Sequence, residues 1–138
     1  MVVARFNHEI TESLLRNAIE TLVERGAAPS DLEVVRVPGA WELPSATRRV
    51  VDRGGVDAVI ALGCVIRGET PHFEFVAGEA SRGLGDLSRT APVPIVFGLL
   101  TTDDLAQARA RAGAGAGNKG REAALVAIEM ADLYRRLA

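Results

Sequence analysis

The chain is short of several things, and each shortage closes a line of explanation. It has one cysteine, Cys64, and so neither an internal disulfide nor a cysteine metal cluster. Set in an apolar run, Cys64 reads as a small core residue suited to reducing surroundings. Positive charge is not in excess: 16 basic side chains face 18 acidic ones, for a formal net charge of -2 and a pI near 5.7. Holding nucleic acid takes a basic field over many phosphates, so that partner is excluded. No apolar run approaches the roughly 18 residues that cross a bilayer, and the opening MVVARFNHE lacks the regions of a signal peptide. The expectation is a cytoplasmic protein with no membrane partner. Lysine occurs once, at Lys119, among fifteen arginines, so one position has a specific need for an ammonium group. Aromatic residues make up only 4%: Phe6, Trp41, Phe73, Phe75, Phe97 and Tyr134.

What is present suits one compact domain over residues 1–138. At 48% hydrophobic content, a chain of this size buries roughly two-thirds of its unfolded surface. Val2 to Arg5 is a short β-type run. From Ile10 to Arg25, Leu14, Leu15, Ala18, Leu22 and Val23 recur at helical spacing with Glu12, Arg16, Glu20 and Glu24 opposite. Gly26 and Pro29 end that helix, Glu33 to Val37 is β-branched, PGAWELP turns, and Ser45 to Arg53 forms a second helix. Asp57 to Ile66 is almost wholly apolar, as a strand buried on both faces is. RGET interrupts it, and Pro71 opens a helix to about Ser88. Pro94 to Leu100 is a fourth strand, Thr102 to Ala112 a helix, GAGAGNKG a loop, and Glu122 to Leu137 a last helix. Such alternation predicts a three-layer α/β sandwich around a four-stranded parallel sheet.

Ligands of these sheets gather outside the carboxyl ends of the strands. Those ends are RFN, PGAWE, CVIRGETPH and FGL, and Phe6, Trp41, Phe73 and Phe97 lie in or beside them, so they read as walls for a planar ring. In RGETPHF, Pro71 fits the first helical position, which makes Thr70 the expected cap and puts His72 in the first turn. Free amides of a helix start attract an anion, with Arg67 and Arg111 as further charge; equally, Thr70 serves only to cap its own helix. His72 has the side chain suited to moving protons near neutral pH, whereas His8 has no comparable setting and reads as surface.

GAGAGNKGREA satisfies G-x-G-x-x-G at Gly115, Gly117 and Gly120, but a helix precedes it and no acidic residue follows at the dinucleotide spacing. Nor is it a Walker loop, because Asn118 separates Gly117 from Lys119 and Gly120 replaces the hydroxyl residue. It reads as a bend between helices. The last helix carries Leu125 and Ile128 on one side and Val126, Met130, Leu133 and Leu137 on another. A helix apolar on more than one face is buried more than once, which predicts a subunit interface.

In order and spacing, RFN, PGAWELP, CVIRGETPHFEF, PIVFGLLT and RAG followed by GNKGREAALVAIEMA resemble the lumazine synthase family, from Val2 to about Leu137. The resemblance implies a flavodoxin-like fold and an enzyme that joins 5-amino-6-(D-ribitylamino)uracil to 3,4-dihydroxy-2-butanone 4-phosphate without metal or cofactor. It also implies a homo-oligomer, either a pentamer or a sixty-subunit icosahedral shell, with active sites between neighbours and riboflavin synthase as a further partner. By motif, Phe6 stacks on the pyrimidine, Ala40, Trp41 and Glu42 line the ribityl and ring site, and Cys64, Val65 and Ile66 hold the uracil edge through backbone groups. Phe97 closes that site. Glu69 and Thr70 bind the phosphorylated ketone, His72 donates the proton, Arg111 grips phosphate, and Lys119 with Glu122 forms a charged pair. Met1 lies almost at the first strand, where the family usually has a longer segment that pairs with a neighbour's sheet. Three other functions remain open: an archaeal-type riboflavin synthase, a flavin-binding module without turnover, and an inactive shell subunit.

Overall fold

A computed structural model describes residues 1–138. Four strands, β1 (Val2–Ala4), β2 (Val35–Val37), β3 (Val59–Ile66) and β4 (Ile95–Thr102), form one sheet in the order β2-β1-β3-β4. Every pairing is parallel. The helices are α1 (His8–Glu24), α2 (Leu43–Arg53), α3 (His72–Thr90), α4 (Leu105–Ala112) and α5 (Lys119–Leu137). This is the expected flavodoxin-like three-layer sandwich.

The alternation of side chains along each strand explains the layers. Val3, Ile60, Leu62, Cys64, Val96 and Leu100 point to one face, where α1, α4 and α5 cover them with Leu14, Ala108 and Ala124. Val2, Ala4, Val59, Ala61 and Leu99 point to the other, under Leu43 of α2 and Ala80 and Leu84 of α3. β3 lies inside the sheet and feeds both cores, which is why it reads as an unbroken apolar run.

Several boundaries differ from expectation. β4 continues to Thr102 because its register with β3 is unbroken to the pair Ile66 and Thr102. α4 then starts at Leu105, capped by the Asp104 carboxylate, which accepts from the Gln107 amide. α2 begins two residues early at Leu43, with Pro44 inside its first turn, where a proline costs nothing. α5 begins at Lys119 rather than Glu122, because the Asn118 side chain caps it.

The last helix departs most instructively from its pattern. Its core-facing residues are small: Gly120, Ala123, Ala124, Ala127 and Ala131. They bring α5 close to α1, so close that a methyl group on Gly120 would fall 2.0 Å from the Leu14 carbonyl oxygen. The bulky residues face outward, with Val126 45%, Ile128 39% and Leu137 75% exposed. The domain's own core therefore leaves this apolar surface uncovered.

Candidate functional site

Because every strand is parallel, all four carboxyl ends open at one end of the sheet. Beyond β1, the Arg5 and Phe6 amides donate to the Val37 and Pro38 carbonyls at 2.8 and 3.0 Å, which extends the strand geometry and leaves the Phe6 ring 71% exposed. Asn7 then turns the chain into α1 in a left-handed conformation, with φ 58°, which asparagine tolerates. Its side-chain amide donates to the Cys64 carbonyl at 2.8 Å, tying this turn to β3.

Beyond β2, Ala40–Glu42 forms a 3-10 turn. The Glu42 carboxylate accepts from the Gly39 amide at 2.9 Å, and buried Ala40 and Leu43 anchor the turn, so Trp41 projects outward at 56% exposure. α3 packs against this turn. β3 ends in half-buried Val65 and Ile66, and beyond it come the exposed residues Glu69, Thr70 and His72. His72 is the first residue of α3. Thr70 is not its formal cap: Pro71 takes that position, and the Thr70 hydroxyl accepts only a 3.4 Å contact from the His72 amide. The imidazole makes no hydrogen bond within the chain. The Cys64 side chain faces the core, and burial pushes its thiol up to about 11, so it is no nucleophile near neutral pH.

A second group of expected site residues lies elsewhere. A groove of about 530 Å³ runs along β4, lined by the consecutive residues Ile95 to Thr101. Consecutive lining residues mean that the groove follows the free edge of the outermost strand. Phe97, Arg111, Lys119 and Glu122 also line it, while Phe6, Trp41 and His72 do not. Arg111 donates to the Gln107 carbonyl at 3.0 Å and pairs with no carboxylate, so its charge is free for an anion. The single lysine does pair as expected: its ammonium lies 2.8 and 3.1 Å from the two Glu122 oxygens.

Two expectations at the strand ends need correction. Arg67 is not a spare cation, because its guanidinium donates to Glu74 and, at 3.0 Å, to Asp103. The Glu74 bond and then the Asp103 bond raise its already high pKa, so it stays charged and engaged. Phe73 is no open ring wall, since the Arg67 guanidinium covers its face 4.3 Å from the centroid. The exposed phenylalanine on this helix is Phe75, at 69%.

The sequence reading also missed Asn118. Its side chain is buried and makes four bonds: it donates to the Ala112 and Gly113 carbonyls, each at 2.9 Å, and accepts from the Gly120 and Arg121 amides at 2.8 and 3.1 Å. One residue thus ties the end of α4, which carries Arg111, to the start of α5, which carries Lys119. The available signal was an asparagine directly before a helix.

The fold is that of a doubly wound α/β protein, and its strand ends and β4 groove present exposed aromatic faces, an exposed imidazole and an unpaired guanidinium, groups suited to a small polar ligand. Comparison with known proteins makes this specific. The chain matches the family model for 6,7-dimethyl-8-ribityllumazine synthase over residues 1–135. It is also 49% identical over 137 residues to a 6,7-dimethyl-8-ribityllumazine synthase of Chlorobaculum tepidum, spanning 99% of this chain and 88% of that one. The chain belongs to the 6,7-dimethyl-8-ribityllumazine synthase family.

Proposed function

We propose that this chain condenses 5-amino-6-(D-ribitylamino)uracil with 3,4-dihydroxy-2-butanone 4-phosphate to give 6,7-dimethyl-8-ribityllumazine, releasing phosphate and water, as a transferase of riboflavin biosynthesis. The observation that carries this reading is the family match across residues 1–135. The site chemistry agrees with it. Both substrates bring their own reactivity, an amine and a ketone, so orientation and proton transfer supply the acceleration and no strong nucleophile is needed.

In this reaction Phe6 stacks on the pyrimidine, and Ala40, Trp41 and Glu42 line the ribityl chain and ring. Cys64, Val65 and Ile66 meet the uracil edge through the backbone, and Phe97 closes the pocket. Glu69 and Thr70 hold the phosphorylated ketone, and Arg111 meets its phosphate, with Lys119 and Glu122 alongside. The 5-amino group attacks the ketone and water leaves to form an imine; phosphate is then eliminated, the resulting enol becomes a carbonyl, and the ribitylamino nitrogen adds to that carbonyl and loses a second water to close the ring. His72 moves protons through these steps.

The site is shared between neighbouring chains, one giving the strand-end residues with His72 and the other giving Phe97, Arg111, Lys119 and Glu122. The separate β4 groove supports this, as does the bulky apolar surface that α5 leaves outside its own core. The assembly is a cytoplasmic pentamer, alone or within a sixty-subunit shell, whose product passes to riboflavin synthase.

The test is to incubate the purified protein with both substrates and follow lumazine and inorganic phosphate. Formation in equal amounts supports the proposal. Conversion of supplied lumazine to riboflavin, with none formed from the two substrates, would establish the archaeal-type riboflavin synthase instead, and no turnover of either kind would leave a binding or shell protein.

A further inference from the structure

The connection between β3 and α3 is poorly held for a segment that carries a proton-transfer group. Every residue from Arg67 to His72 is exposed, and nothing lies within 4 Å of where a Gly68 side chain would begin. The buried face of α3 starts only at Ala77 and continues through Ala80, Leu84 and Leu87. The first turn of the helix, with His72, therefore projects beyond the packed part and needs another anchor.

Arg67 provides it. Its amide donates to the Thr102 carbonyl at 2.9 Å, which fixes its backbone to the end of β4. Its side chain then reaches in two directions. Nη1 donates to the Glu74 carboxylate, and the guanidinium carbon lies 4.3 Å from the Phe73 ring centroid, so the side chain holds both residues that follow His72. Nε donates to Asp103 at 3.0 Å, and the Asp103 amide is itself fixed by the Gln107 side chain at 2.9 Å. A planar, forked cation can make these contacts together, whereas an ammonium cannot.

We propose that Arg67 is a positioning residue, a clamp that fixes His72 by locking the first turn of α3 to the loop after β4. This rests on the reading that His72 moves protons in the condensation. Arg67 and its two carboxylates act through the direction of the imidazole and do not contact the phosphorylated ketone. A small displacement of a reacting group is costly to rate, so loosening the clamp lowers kcat and leaves substrate capture largely intact.

Asp103 separates this role from direct phosphate binding. A carboxylate does not attract a phosphate, so if Arg67 were a phosphate ligand, Asp103→Ala would free it and lower KM for the phosphorylated ketone. The clamp predicts instead that Arg67→Ala and Asp103→Ala each lower kcat roughly tenfold with KM for both substrates within about twofold. The double variant should lose no more than Arg67→Ala alone, because the two act as one unit. Arg67→Lys should fall between wild type and Arg67→Ala. In a His72→Ala background, Arg67→Ala should cost nothing further. Urea midpoints of all variants are measured alongside, and because the clamp is exposed they should match wild type.

Three results overturn the proposal: a raised ketone KM with kcat preserved in Arg67→Ala, wild-type kcat in Asp103→Ala, or an undiminished effect of Arg67→Ala when His72 is absent. Failure of the underlying reading looks different. If His72→Ala alone keeps wild-type kcat, the proton role falls and the clamp loses its purpose; if His72→Ala is slow while Arg67→Ala is fast, only the clamp falls.

Discussion

Replacing Gly120 by alanine tests whether the close approach of α1 and α5 is what builds the second half of the site. Two effects oppose each other. Alanine is the better helix former by roughly 1 kcal/mol, which favours the variant. Against this, the new methyl carbon would meet the Leu14 oxygen, carbonyl carbon and α-carbon at 2.0, 2.7 and 2.8 Å, all far inside contact distance. These are backbone atoms of another helix, so no side-chain rotation relieves them and α5 must move away. Overpacking of this kind costs up to about 3 kcal/mol, so the net loss should be about 2 kcal/mol. With a urea dependence of about 1–3 kcal/mol per molar, the midpoint should fall by roughly 1 M. Gly78 is the control: it sits within α3, nothing lies within 4 Å of its added carbon, and its φ is not in the left-handed range. Gly78→Ala should therefore gain about 0.5–1 kcal/mol. The displaced α5 also carries Lys119, so Gly120→Ala should weaken ketone capture. A Gly120→Ala protein as stable as Gly78→Ala would refute the reasoning, because it would mean that the helices do not need a glycine at their crossing.

His72→Ala should fold normally and slow turnover by about 10² or more, and an unchanged kcat from pH 6 to 8 would remove its proton role. Arg111→Ala should raise KM for the phosphorylated ketone by about 10- to 100-fold, the worth of one charge-assisted contact, and leave pyrimidine binding unchanged; equal losses for both would indicate a folding defect. Glu12 is held below the usual carboxylate range by its bond to Arg36, as is Glu9 by Arg109. A lowered folded pKa contributes stability that is complete above the unfolded value of about 4.3 and is lost as pH falls through the folded value. The urea midpoint should thus drop below about pH 4, and Glu12→Gln should lessen that drop; an identical drop in the variant would deny the pair any part in it.

The sandwich was legible in the sequence because each signal was local. β3 betrayed burial on both faces through its unbroken apolar run, and α1 through its helical spacing. Lys119 read as part of a loop and its pairing with Glu122 was implied only by the family resemblance; the Asn118 cap, which starts α5 at Lys119, puts the two one turn apart on the same helix. Asn118 was missed although its partners are local, but much else that was not legible depends on distant partners. Arg67 read as a free charge because Asp103, 36 residues away, can be matched to it only once β3 and β4 are paired in register. Phe97 read as a strand-end residue beside Phe6, whereas β4 runs on to Thr102 and leaves Phe97 third in the strand, in the groove along the sheet's free edge. The bulky residues of α5 implied a second contact surface, but only the packing revealed that its alanines, not its larger residues, meet the core.

The central claim is that one working site takes His72 from one chain and Arg111 from its neighbour, and mixing two inactive variants tests it most directly. His72→Ala and Arg111→Ala chains are unfolded together in equal amounts and refolded, native mass measurement confirms mixed assemblies, and lumazine formation is assayed. In a head-to-tail ring each interface joins two different surface patches, so about one quarter of interfaces should carry both intact residues, and activity should return to about one quarter of wild type. Mixed assemblies with no more activity than the separate variants would contradict the shared site.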